Sequence, residues 1–460
     1  MLKLYNSLSR EKEKFKSLHG DTIGLYTCGP TVYNYAHIGN LRTYVFEDIL
    51  VRVLKYNNFK VNHVMNITDV GHLTDDADQG EDKMEAGAKR EGKTAWEIAK
   101  FYEEAFKHDI AKLNILEPTI WCRATDHIEE QINLVQTLID KDYTYETSDG
   151  IYFDTTKFEN YGELANLKKQ ELKAGARVDM GEKKNPHDFA LWKFNKEGET
   201  RQMQWEAPFG AAQGKSDRKG FPGWHVECSA MSMKYLGEQF DIHCGGVDHK
   251  PIHHTNEIAQ TESATGKKPW VNFWLHGEFL LLDEGKMSKS KEEFITLQTL
   301  RDKNISPLAY RYFLLQAHYR KQLNFSWEAL DGATQGLKKL KNQIKNIEPN
   351  AITDEKVMVE FNSAINDDLN MPEALAILWT ALKDKHISLD TVIKFDKILG
   401  LNLHEIEEAE VEIPAEVQEL LDARKLAREE KNWEESDRLR DEIAGLGFKV
   451  EDTNDGQKIV

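Results

Sequence analysis

No uninterrupted apolar run in this 460-residue chain approaches the ~18 residues of a membrane span. Its start, Met1-Leu2-Lys3-Leu4-Tyr5-Asn6, has no basic segment followed by an apolar one. A membrane-spanning helix and a secretory signal are therefore not expected, and a cytoplasmic protein without a membrane partner is. Cysteine is scarce. The four residues, at positions 28, 122, 228 and 244, are too few and too scattered for a disulfide framework, so metal ligation or plain burial explains them better. Positive charge is in deficit too, with 60 Lys and Arg against 78 Asp and Glu and a net charge of −18. The average field repels nucleic acid, and such a partner would have to meet a local basic face. No internal repeat or low-complexity tract stands out.

What is present reads as an ordinary soluble enzyme, 40% hydrophobic and 30% charged, long enough for several domains with buried cores. Residues 22–27 read as a strand. Leu41, Val45, Phe46, Ile49, Leu50, Val53 and Leu54 fall at helical spacing, and Val61 to Ile67 form a second apolar strand that ends at Thr68 and Asp69. The alternation predicts an α/β protein with a Rossmann-type parallel sheet and chemistry at the carboxyl ends of its strands. The expected organisation is a first half of the sheet domain over 1–125, an insertion over 126–205 and a second half over 206–285. A loop region then spans 286–345, a helical bundle 346–410 and a small helical hairpin with a tail 411–460. The C-terminal half is mostly helical.

Three local patterns carry chemistry. His37-Ile38-Gly39-Asn40 opens the first helix, whose unpaired N–H groups and dipole suit a phosphate. Lys286-Met287-Ser288-Lys289-Ser290 places two lysines in a loop. His253 and Glu257, four apart, share a face if their segment is helical and can then chelate a metal, although such a pair also fits a local cap beside a solvated carboxylate.

In their order and separation, the first two patterns resemble the HIGH and KMSKS signatures of class I aminoacyl-tRNA synthetases. Within that class, Tyr26-Thr27-Cys28-Gly29-Pro30-Thr31-Val32-Tyr33, Gly223-Trp224-His225-Val226-Glu227-Cys228 and His253-His254-Thr255-Asn256-Glu257 resemble the cysteinyl-tRNA synthetases. The resemblance implies one Zn2+ per chain on Cys28, Cys228, His253 and Glu257. Cys122 is then a buried structural residue, and Cys244 a small residue in a Gly-rich turn and the runner-up ligand. It further implies that His37, Asn40, Lys286 and Lys289 handle ATP, with Mg2+ expected, that Asp248 holds the ribose, and that Gly29, Thr68, Trp224 and His243 enclose L-cysteine. The implied partners are ATP, L-cysteine and tRNA(Cys), with stem contacts in 286–345 and anticodon binding by the helical bundle 346–410 and the tail from Val450, and the implied state is a monomer.

The chain departs from that family's pattern in four places. Asn40 stands at the last HIGH position, where an amide donates a hydrogen bond but carries no charge. The loops at 71–83 and 209–220 are longer than usual, Lys291-Glu292-Glu293 replaces a common Leu-Gly-Asn, and the tail ends at Gln457-Lys458-Ile459-Val460 without a terminal Trp. Two rival readings remain, a cysteine-activating ligase for a small amine and an inert RNA-binding paralogue. The helical C-terminal half weighs against the first, and the joint presence of the lysines and all four ligands against the second.

Overall fold

The computed structural model describes residues 1–71, 82–166, 182–196, 198, 200–209, 218–282, 294–404, 415–429, 432–448, 450–453 and 456–459. Met1–His404 forms one compact unit and Glu405–Val460 another. The larger unit is organised by a five-stranded parallel sheet in the order Val271–Gly277, Phe240–Gly246, Thr22–Thr27, Lys60–Ile67, Ile120–Arg123. The chain starts in the middle, builds outwards to one edge, then returns to build the other side. Strand order therefore reverses between Thr22–Thr27 and Phe240–Gly246, and the carboxyl ends of these two strands splay around a crevice suited to a ligand. Near-continuous burial along both strands agrees with a sheet covered on both faces.

Between the two halves of this sheet, a helix at Ile128–Asp140 packs on an antiparallel sheet of Thr144–Glu146, Gly150–Phe153, Phe189–Phe194, Lys219–Pro222 and Trp205–Glu206. The sequence suggested short strands here, but this sheet extends to Pro222. Gly220 and Pro222 are weak strand formers, so Lys219–Pro222 carries no alternating signal. That last strand feeds directly into the helix Trp224–Leu236. Helices also dominate residues 297–399, as expected. In the smaller unit the helices Ala415–Glu429 and Trp433–Gly445 pack through Val417, Leu421 and Ile443, and an antiparallel pair, Val450–Thr453 with Gly456–Ile459, follows. Among the described residues, no helix is long and apolar enough to cross a membrane.

The helix Ile38–Tyr56 buries every residue of its predicted apolar face, and also Arg42, Glu47, Asp48 and Arg52. It is enclosed because the sheet lies on one side and later helices on the other. Asp48 Oδ2 accepts from Arg52 Nε at 2.7 Å and from Arg311 Nη2, while Asp48 Oδ1 accepts from the Leu116 N–H at 2.9 Å. Arg311 is fully buried and donates onward to the carbonyls of Leu399 at 2.7 Å and Leu113 at 3.0 Å. One carboxylate thus ties the first helix to the helices Pro307–Leu315 and Leu389–Leu399. Breaking one side of such a network leaves uncompensated buried charge, typically ~3–5 kcal/mol. Arg311→Met should lower the unfolding free energy read from urea denaturation by an amount in that range, whereas Lys356→Met, which removes an exposed cation of the helix Glu355–Asn366, should change it little.

Candidate active site and metal centre

The site is assembled at the strand-order reversal. Cys28 follows the strand Thr22–Thr27 directly, and its N–H donates to the Cys244 carbonyl at 3.1 Å, so the donor loop is fastened to the neighbouring strand. Gly29 approaches the strand Lys60–Ile67 so closely that a Cβ would lie 1.7 Å from the Asn66 carbonyl oxygen. Only glycine fits there, and its N–H donates to Asn66 Oδ1 at 2.8 Å. Cys228 comes from the helix Trp224–Leu236, and His253 and Glu257 from the first turns of His253–Thr265. That segment is helical, so the i,i+4 pair does share a face.

The structure brings these four residues together. Cys28, Cys228, His253 and Glu257 are all buried and offer ligand atoms within 4.8 Å of one another. Cys244 is buried in its strand and is absent from both donor groups found among the described residues, while Cys122 is buried within the edge strand Ile120–Arg123. The second donor group is Cys28, His243, His254 and Glu257. His254 is a residue that sequence reasoning missed. The density of histidines at 243, 249, 253 and 254 was the signal that could have found it.

The electrostatics favour a cation. Glu257 Oε2 lies 3.2 Å from His243 Nε2, and Oε1 lies 3.0 Å from His253 Nε2 as an ion-pair partner. Burial pushes the Glu257 carboxyl up, but His243 and His253 outweigh it and hold the group down at about 2. The Cys228 thiol is lowered to about 6, first by a hydrogen bond from Cys28. Burial, together with that donated bond, raises Cys28 well above the ordinary thiol range. Burial would depress His253, yet Glu257 and then Cys228 raise it to about 10. A proton on His253 thus compensates anionic donors where a metal ion would otherwise do so. Thiolate, imidazole and carboxylate are compatible with zinc. Trp224 packs against the His253 ring at 4.4 Å between centroids with the planes tilted by 31°, and His225 Nδ1 lies 3.0 Å from His253 Nδ1, so the imidazole is oriented from behind.

In front of the donors opens a cavity of about 350 Å³, lined by Cys28, Gly29, His37, Asn40, Trp224 and Asp248 among others. His37 caps the first helix: Nδ1 accepts the Asn40 N–H, and Asn40 Oδ1 accepts the His37 N–H, both at 3.2 Å. Asn40 therefore completes a reciprocal cap. Because Nδ1 accepts, the ring proton sits on Nε2, and burial keeps the imidazole below its ordinary pKa against the pull of Asp248. The exposed Phe294 stacks on His37 at 5.5 Å. Thr68 and His243 do not line this cavity. Thr68 is buried, exchanging backbone hydrogen bonds with Pro30 and Val32, and His243 is buried against Trp274. Lys286 and Lys289 lie outside the described residues, as do most of the two longer loops.

Comparison with known proteins agrees with this architecture. Residues 14–335 match the family described as tRNA synthetases class I (C) catalytic domain, and residues 410–459 match the cysteinyl-tRNA ligase anticodon binding domain. The cysteine–tRNA ligase 1 of Burkholderia lata is 51% identical over 100% of this chain and 96% of its own length. The cysteine–tRNA ligase of Treponema denticola is 46% identical over 98% of each. Among solved structures, Mycobacterium tuberculosis methionyl-tRNA synthetase bound by methionyl-adenylate superposes with a TM-score of 0.56 over 83% of this chain and 88% of that one. At 15% identity it bears on the fold alone.

Proton release gives a test of the donor set. At pH 8 the metal-free protein should hold Glu257 and Cys228 ionised and keep protons on Cys28 and His253. Adding Zn2+ in weak buffer should then release about two protons per ion, one from each, because all four groups ligate deprotonated. A pH indicator reads the release, and one proton or fewer would remove Cys28 or His253 from the set.

Proposed function

Because the chain belongs to the cysteine–tRNA ligase family of class I synthetases, we propose that it activates L-cysteine with ATP and transfers it to the 3′ end of tRNA(Cys), with zinc discriminating the thiol. The observation that carries the reading is the meeting of two thiols, an imidazole and a carboxylate, one of which, Cys28, lines a cavity shared with the N-terminus of the first helix. Zinc, when bound by Cys28, Cys228, His253 and Glu257, supplies a soft Lewis acid that favours a substrate thiolate over the hydroxyl of serine. Pocket shape alone rejects so close an isostere weakly.

The remaining roles belong to the chain's own residues. The substrate carboxylate is already ionised, so activation needs positioning and charge stabilisation more than a general base. Its oxygen attacks the α-phosphorus of ATP, the bond to pyrophosphate breaks, and cysteinyl-adenylate remains. His37, through its Nε2–H, and Asn40 donate to the phosphates at the helix N-terminus, while Lys286 and Lys289 neutralise the charge that develops, with Mg2+ on the triphosphate. Asp248 holds the ribose. Gly29 and Trp224 bound the amino acid, and Thr68 and His243 act from behind the wall, one by holding the Gly29-Pro30 turn and the other by orienting Glu257. The match to an anticodon-binding domain supports tRNA as the acceptor over a small amine.

ATP–pyrophosphate exchange without tRNA tests the proposal. Zinc-loaded protein should exchange with cysteine and reject serine by ~10³-fold or more. Cys228→Ser should lose zinc affinity and exchange together, and equal exchange with serine would sink the discrimination mechanism.

A further inference from the structure

Beside the cavity mouth, an aromatic corner remains to which the proposed chemistry gives no role. Tyr35, on the loop before His37, is 47% exposed, and Phe101, on the helix Ala95–Lys112, is 40% exposed. Their ring centroids are 6.1 Å apart at 73°. Tyr102 completes the corner, 5.0 Å from Tyr35 and 5.1 Å from Phe101, both close to perpendicular. Tyr35 and Tyr102 also line the cavity that holds His37 and Asn40, so the corner is continuous with the candidate active site. Large exposed aromatics presenting their rings at a site mouth are costly to leave in water and suit a partner with flat faces of its own.

The charge around the corner differs from that of the whole chain. Lys93 Nζ sits 4.4 Å over the Phe101 ring, and its partner Glu91, at 3.3 Å, also pairs with Arg90. Residues 82–107 carry six basic and six acidic side chains, neutral in a chain of −18. Two of the acids are also paired from outside the segment, Asp82 with Arg201 and Glu103, which holds Lys107 as well, with Arg123, so the segment's basic side chains outnumber the acids left to them. The exposed ion pairs are weak and open to exchange for a phosphate.

We propose that Tyr35 and Phe101, backed by the buried Tyr102 and joined by Lys93, form a stacking ledge for the unpaired 3′ strand of the RNA substrate. The ledge holds bases on aromatic faces and a phosphate on the ammonium as the strand turns into the cavity. This inference rests on the function proposed above. Single-stranded RNA is the occupant that matches both features, since its unstacked bases seek aromatic faces and its backbone seeks cations. Phe101 and Lys93 lie outside the cavity lining, so they position the acceptor strand and take no part in amino-acid activation.

The test uses the zinc-loaded full-length protein, a tRNA(Cys) transcript and the same transcript with 2-aminopurine in its unpaired 3′ strand. Phe101→Ala and Lys93→Ala should leave cysteine-dependent pyrophosphate exchange within about twofold. Phe101→Ala should raise the tRNA KM ~5-fold or more, as expected for the loss of one stacked base, and abolish the quenching of 2-aminopurine on binding. Phe101→Tyr should restore both and Phe101→Leu neither. Lys93→Ala should lower the salt slope of tRNA binding by about one counterion. Normal exchange with unchanged tRNA KM and quenching in both Phe101→Ala and Lys93→Ala would overturn the ledge. So would concentration-dependent self-association lost in Phe101→Ala with tRNA kinetics intact, which would make the corner a contact between copies. Absent exchange in the unaltered protein would instead remove the function on which the ledge rests.

Discussion

Parallel pairing of Thr22–Thr27 with Phe240–Gly246 is the constraint on which the site depends. These strands come from opposite ends of the catalytic region, and the register Thr27 with Cys244 puts Cys28 beside the turn that leads into His253–Thr265. A slip of one residue would turn every side chain of a strand to the other face. Burial on both faces makes that slip prohibitive. Four donors from three separate segments can therefore meet within 4.8 Å of one another without any local motif that joins them.

A second constraint is electrostatic. The donor cavity is buried, yet it holds a carboxylate and a thiolate, and isolated charge there would be very costly. Without a cation, His253 carries the compensating proton, and the ring of Trp224 and the neighbouring His225 keep it facing Glu257. The same neighbours that would orient His253 towards a metal also orient it in the metal-free protein. Preorganisation of this kind lets the site be rigid before any substrate arrives.

Much of this was legible in the sequence, for identifiable reasons. The helix Ile38–Tyr56 and the strand Lys60–Ile67 follow from apolar periodicity, which burial enforces residue by residue. The closeness of Cys28 to Cys228 has no such local cause. It was reached by resemblance, because a parallel crossover fixes neighbours that spacing cannot reveal. The strand Lys219–Pro222 was missed since glycine and proline mask its register, and the burial of Asp48 and Arg52 was missed since a helix enclosed on all sides loses the polar stripe that periodicity reads. Cys244 shows the limit of proximity in sequence. It lies near His253 in the chain and is buried, but its strand directs it into the apolar core.

The Asp48–Arg311 tie bears on how such a chain can be shortened or rearranged. Helices up to Leu399 accept hydrogen bonds from an arginine whose counter-ion belongs to the first helix, the one that also presents His37 and Asn40. A fragment ending after the parallel sheet would keep Asp48 paired with Arg52 alone and expose the apolar side of that helix. The helical region up to His404 is therefore not a detachable appendage. A shortened chain that kept the catalytic sheet by itself would need the apolar side of this helix resurfaced, so truncation and repacking of the first helix are expected to go together.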